Sequence, residues 1–119
     1  MRGYLPFVLA GCLLTFQAAA SAAAGAAAGA SASAASAEAL DAGRVLFNSG
    51  ATPACAICHT LKDADAEGTI GPSLDALKPD AARVRTVLKS GLGVMPSYEA
   101  LTDEQAQALS NYVAAVAGK

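Results

Sequence analysis

The chain has 119 residues and a formal charge of −2, which allows one small domain. The slightly acidic balance gives no support to a nucleic-acid partner. The hydrophobic fraction of 54% overstates the core, because much of it is alanine between Gln17 and Ala37, a side chain that buries little area.

At the N-terminus, Arg2 precedes an apolar run from Leu5 to Phe16 and then small residues such as Ala18-Ala19-Ala20 and Ala20-Ser21-Ala22. That is the order of a secretory leader, with cleavage expected near Ala20 to Ala22. Two other readings stay open: Leu9-Ala10-Gly11-Cys12 resembles a lipoprotein processing box, and the absence of charge from Gly3 to Ala37 is long enough for an uncleaved membrane span. Residues 1–22 are therefore read as a signal peptide. The Ala/Ser/Gly-rich stretch 23–36 has no large apolar side chain with which to offset its ordering entropy, and is read as a disordered linker. The folded domain is expected over 37–119.

Within that domain three segments carry helical periodicity and none shows strand alternation of useful length, so the fold class is all-α. The first helix is predicted from about Ala37 to Asn48, capped by Ser36, with Leu40, Gly43, Leu46 and Phe47 on one side and Ser49-Gly50 as its stop. Between Cys58 and Pro79 the Gly and Pro residues predict mostly loop, with one short helical turn around Ser73 to Leu77. Pro79 to Ser90 reads as a helix with Pro in its first turn, an apolar face at Val84, Val87 and Leu88, and Gly91 beyond its end. The last helix opens on a capping box, Thr102 with Gln105, and carries the stripe Leu109, Tyr112, Val113 and Val116.

From Ala37 onward the only aromatics are Phe47, Tyr98 and Tyr112, and there is no Trp. A domain this short and this poor in bulky side chains needs a staple, a metal or a large apolar cofactor. Cys55-Ala56-Ile57-Cys58-His59 matches the C-x-x-C-H signature of covalent haem attachment. Two thiols one helical turn apart reach the two vinyl groups on one edge of the macrocycle, and the following imidazole lies beneath the iron. A disulfide or a thiol redox motif is the alternative for the cysteine pair, although the latter expects a βαβ setting. Structural zinc would need a fourth ligand that this motif lacks.

His59 is the one histidine and Met95 the one methionine after the initiator. Met95 lies in Gly93-Val94-Met95-Pro96, where Gly permits close approach and Pro sets the turn, and it is the candidate second axial ligand to iron in a Met/His pair. Gly71-Pro72 follows the haem motif, and the Pro72 carbonyl is placed to accept a hydrogen bond from His59. Asp63, Asp65 and Glu67 form an acidic run. Lys78, Arg83, Arg85 and Lys89 make a basic face expected to dock an acidic partner.

With these motifs in this order, the chain from about Leu40 to Val116 resembles the small class I bacterial cytochromes c. The resemblance is carried by Gly43 through Phe47, the Cys55 to His59 motif, Ile70-Gly71-Pro72, Val94-Met95-Pro96, and Leu109 with Tyr112. It implies a cytochrome c domain with helices packed around one covalently attached haem c, Gly43 crossing the last helix near Tyr112, Pro72 supporting His59, and Met95 as distal ligand. It also implies a periplasmic, non-enzymatic carrier of single electrons. Its partners are then redox proteins: a periplasmic dehydrogenase, a terminal oxidase or another cytochrome. Thr52-Pro53-Ala54 and the segment from Leu61 to Gly68 further resemble cytochromes that accompany periplasmic molybdenum sulfite dehydrogenases. Two rival readings remain at this level: a tightly bound haem subunit of such a dehydrogenase, and a ligand sensor or peroxidase-like protein with an open iron position.

Overall fold

The computed structural model describes residues 36–119. The leader, the linker up to residue 35 and Cys12 lie outside the described residues. Helix α1 covers 36–45 and runs on into a wider, π-type turn at Leu46–Gly50. Ser36 is already helical rather than the cap expected there. The wider turn closes with Ala51 N–H donating to the Leu46 carbonyl at 3.1 Å, and it drives Phe47 into the core. Next comes α2, the single turn Cys55–Cys58.

The predicted loop after the cysteines contains more order than its Gly and Pro content suggested. A two-stranded antiparallel ribbon pairs β1 (Thr60–Leu61) with β2 (Ala66–Glu67) around a 3-10 turn at Lys62–Ala64. Strands of two residues are too short to show alternation, and the domain is otherwise helical. The short helix α3 is Leu74–Leu77, with the Ser73 hydroxyl accepting from Ala76 N–H. Helix α4 spans Ala81–Ser90. Its cap is Asp80, whose carboxylate accepts from Arg83 N–H at 2.7 Å, so Pro79 precedes the helix instead of starting it. A side chain that satisfies a free N–H defines the start more strongly than a favourable φ does.

Helix α5, Asp103–Val116, has the predicted capping box: Gln105 N–H donates to Thr102 Oγ1 at 3.2 Å and Thr102 N–H donates to Gln105 Oε1 at 2.9 Å. Asp103 and Glu104 in its first turn complement the helix dipole. The buried stripe holds Ala106, Leu109, Tyr112 and Val113, while Ser110 satisfies its hydroxyl on the Ala106 carbonyl at 2.6 Å. α5 packs along α4 and is crossed by α1 at Gly43, where an added Cβ would fall on the Tyr112 side chain and 2.9 Å from the Ala108 carbonyl. Phe47 meets the Tyr112 ring edge-on, with centroids 6.3 Å apart.

One carboxylate ties this crossing to the ribbon. Asp63 Oδ1 accepts from Tyr112 Oη at 2.7 Å and from the Arg44 guanidinium at 2.7 Å, joining α5, α1 and the 3-10 turn. The Tyr112 hydroxyl, with Arg44 adding to it, holds the Asp63 carboxyl below its ordinary range. Asp75 on α3 spans a second gap, accepting from Lys62 N–H at 2.7 Å and Gly118 N–H at 2.9 Å; the Gly118 bond leads in lowering its pKa as well. Among the described residues no helix is long and apolar enough to cross a membrane.

Replacing Gly43 by Val is expected to cost about 2 kcal/mol or more, because the crossing has no room and overpacking of this kind is costly; a denaturant midpoint equal to wild type would contradict it. Both aspartates bind a proton less readily when folded, so their stabilisation is complete above the ordinary carboxylate pKa and is lost as pH falls through the lowered folded values. Denaturation midpoints taken over about pH 5 to 2 are expected to fall less steeply for Asp63→Asn than for wild type.

Candidate functional site

A cavity of about 290 Å³ opens between α2, the loop that follows it, α4 and the strap before α5. Its walls are nearly all carbon: Phe47, Leu109 and Val113 from the core, Val84, Val87 and Leu88 from α4, and Ile70, Leu92 and Val94 at the rim. Cys55, Cys58, His59, Pro72 and Met95, the five residues singled out by motif, all line it. The structure thus brings together side chains separated by up to forty positions.

The α2 turn carries Cys55 buried and Cys58 half-buried, both as free thiols. Burial pushes the Cys55 thiol up to about 11. The turn is backed by Gly68, where an added Cβ would lie 2.6 Å from the Ile57 carbonyl oxygen and 2.7 Å from that of Ala56. The chain can therefore lie flat against the end of α2 only if that position has no side chain. Thr60 Oγ1 fixes the same segment by donating to the Gly68 carbonyl at 2.9 Å.

His59 follows the turn in extended backbone and is only 9% exposed. Its Nδ1 lies 2.8 Å from the Pro72 carbonyl oxygen. A carbonyl can only accept, so this bond places the proton on Nδ1 and leaves the Nε2 lone pair available as a ligand. The ring packs on Gly71, where an added Cβ would sit 2.8 Å from Nδ1. Gly71 N–H in turn donates to the Cys58 carbonyl at 2.7 Å, closing the loop onto the turn that it serves.

Met95 sits on a strap whose two ends are pinned to adjacent carbonyls of α4. Gly91 N–H donates to Val87 O at 2.8 Å, and Tyr98 N–H donates to Leu88 O at 2.7 Å. Within it Leu92 and Met95 exchange both backbone hydrogen bonds at 3.0 Å, a tight hairpin that uses Gly93 at φ 59°.

Tyr98, at the end of the strap, was not apparent as a site residue. It is buried, donates its hydroxyl to the Pro53 carbonyl at 3.0 Å, and its ionisation is pushed up to about 12 by burial. It joins the strap to the approach to α2, so both sides of the cavity share one prop. As a lone aromatic in a loop of a Trp-free domain it was the visible signal.

The expected basic face is partly engaged within the fold. Arg85 bonds to Asp103 at 2.8 Å and to Gln107 at 2.7 Å, and Lys89 lies 3.4 Å from the same Asp103. Asp103, in the first turn of α5, is shared by Arg85 and Lys89 and so offsets one of the four positive charges. Lys78 belongs to a left-handed turn at φ 48° and not to the helix. The acidic run is likewise divided, with Asp63 drawn inward while Asp65 and Glu67 stay exposed.

A carbon-lined cavity, paired thiols, an imidazole with its outer nitrogen bonded to the backbone, and one thioether are groups of the kind that a covalently held haem requires. Comparison with known proteins agrees. The family model described as "Cytochrome C oxidase, cbb3-type, subunit III" matches residues 38–113. Among solved structures, the c-type cytochrome SorU from Sinorhizobium meliloti is 52% identical, with a TM-score of 0.67, covering 69% of this chain and 94% of that one. No curated protein matches. The chain therefore belongs to the c-type cytochrome family that this model describes, as a single-haem electron carrier whose haem c is covalently attached and not as a catalytic enzyme.

Proposed function

We propose that the chain works in the periplasm, accepting electrons one at a time from a dehydrogenase and passing them to a further redox protein. In this reading Cys55 and Cys58 form the two thioethers, His59 is the proximal ligand, Pro72 holds His59, and Met95 is the distal ligand. The observation that carries it is the convergence of all five on one apolar cavity, with the His59 ring already oriented by Pro72.

When bound, the haem supplies an iron that alternates between ferric and ferrous states. The Pro72 carbonyl keeps the imidazole proton on Nδ1, so the ring needs no reorientation when the charge changes. The Met95 thioether is a soft donor that favours ferrous iron over ferric, which raises the potential relative to a second imidazole. The carbon walls exclude water and limit solvent reorganisation. With both His59 and Met95 holding the iron, the site would pass electrons and would not bind a substrate.

Export through residues 1–22 and a flexible linker at 23–36 belong to the same proposal, supported by the order of charged, apolar and small residues there. The donor we propose is a molybdenum sulfite dehydrogenase. Its support is the likeness of Thr52-Pro53-Ala54 and Leu61 to Gly68 to cytochromes that accompany such enzymes, together with the 52% identity to SorU.

Met95→Ala is expected to keep the fold, lower the reduction potential and let carbon monoxide bind the ferrous protein, whereas wild type is expected not to bind it. An unchanged spectrum would show that another group is the ligand. Mixing the oxidised protein with a purified sulfite dehydrogenase and sulfite is expected to produce the ferrous spectrum within seconds, with the cytochrome eluting alone on size exclusion at physiological salt. No reduction would reject this donor, and co-elution would make the chain a bound subunit.

A further inference from the structure

Among the side chains around the cavity, one carries a formal charge, Arg83. The other polar groups on the lining are already committed: His59 Nδ1 to Pro72, Tyr98 Oη to Pro53, and the two thiols to attachment in the reading above. Three of the remaining cations are also accounted for, Arg44 on Asp63, and Arg85 and Lys89 on Asp103. The Arg83 guanidinium makes no ion pair or hydrogen bond among the described residues. Its backbone N–H is held by the Asp80 cap, which fixes it in the first turn of α4, where the helix dipole adds positive potential.

Haem is not uniformly apolar. The edge opposite its vinyl groups carries two propionates, and a carbon-lined cavity accepts these only at water or beside a cation. Attachment to α2 commits the vinyl edge to that wall, leaving the carboxylates to be met elsewhere on the lining. An arginine suits this task because its fork matches a carboxylate with two parallel hydrogen bonds and it stays charged at every relevant pH.

We propose that Arg83 is the counter-ion of a haem propionate and thereby helps to set the reduction potential; this rests on the haem-holding roles assigned in the preceding section. The sign follows from charge. Ferric haem carries one more positive charge than ferrous haem, so an uncompensated propionate stabilises the oxidised form and a paired one does not. Loss of the guanidinium therefore lowers the potential, and it also raises the pKa of the unpaired propionate, so the pH dependence of the potential moves to higher pH in the variant.

The test uses the full chain matured in a host with periplasmic haem attachment, as wild type, Arg83→Gln and Arg83→Lys. Intact mass reports haem addition, circular dichroism the fold, and the ferric sulfur-to-iron charge-transfer band the methionine ligand. We expect these three readouts to be equal in all forms. The potential of Arg83→Gln is expected to lie below wild type at neutral pH and, as pH falls, to begin rising at a higher pH than wild type, and that of Arg83→Lys to lie near wild type. Equal potentials for wild type and Arg83→Gln across the pH range would overturn the assignment, as would a shift in Arg83→Lys as large as that in Arg83→Gln. A wild-type mass without haem would instead remove the haem-holding roles themselves, and the Arg83 proposal with them.

Discussion

The site depends on one hydrogen bond, from His59 Nδ1 to the carbonyl of Pro72. It is made by two segments thirteen positions apart that have no regular structure in common, and it decides which imidazole nitrogen faces the cavity. The surrounding arrangement serves that contact. Gly71 supplies a surface without a side chain for the ring, and the Gly71–Cys58 bond holds the carbonyl-bearing loop at the correct distance. An apolar wall could be built in many ways, but an oriented imidazole needs a partner that only accepts, and proline offers a carbonyl with no competing N–H.

Around this centre the helices act as a frame. Two long helices and α1 bury few large side chains, so close approach replaces bulk: Gly43 lets α1 touch the Tyr112 side chain and the Ala108 carbonyl, and Phe47 and Tyr112 complete the contact edge-on. The Asp63 carboxylate then satisfies both Arg44 and the Tyr112 hydroxyl at the margin of the core. A half-exposed pair alone adds little stability. Here the carboxylate joins three elements at once, so its contribution is mainly to register: it fixes how the ribbon sits on the crossed helices.

How much of this was legible in the sequence follows from the range over which each interaction acts. The attachment motif, Pro72 and Met95 were readable because their chemistry is encoded by neighbours in the chain: a fixed Cys spacing, a Gly-Pro step, and a sulfur between Gly and Pro. The α5 start was readable for the same reason, since Thr102 and Gln105 cap each other across three residues. The Arg44–Asp63–Tyr112 junction was not, because its members are 19 and 49 positions apart and each alone resembles a solvated surface group. The ion pairs of the basic residues on α4 are hidden for the same reason. Charge on one helix cannot reveal that Asp103, on another, lies against Arg85 and Lys89. Pro79 was a fair signal for a helix start, overridden by the stronger cap available one residue later at Asp80.

In the ligation proposed above, the strap from Gly91 to Tyr98 governs how the Met95 sulfur exchanges with other ligands. Because both of its ends are fastened to neighbouring carbonyls of α4, and its hairpin is closed by its own backbone, the Met95 sulfur travels on a short ring and not on a domain. Closing a ring of that length costs little chain entropy. A sulfur released from that ligation would stay near its seat at high effective concentration, and external ligands would compete with a tethered neighbour while the helical frame stays intact.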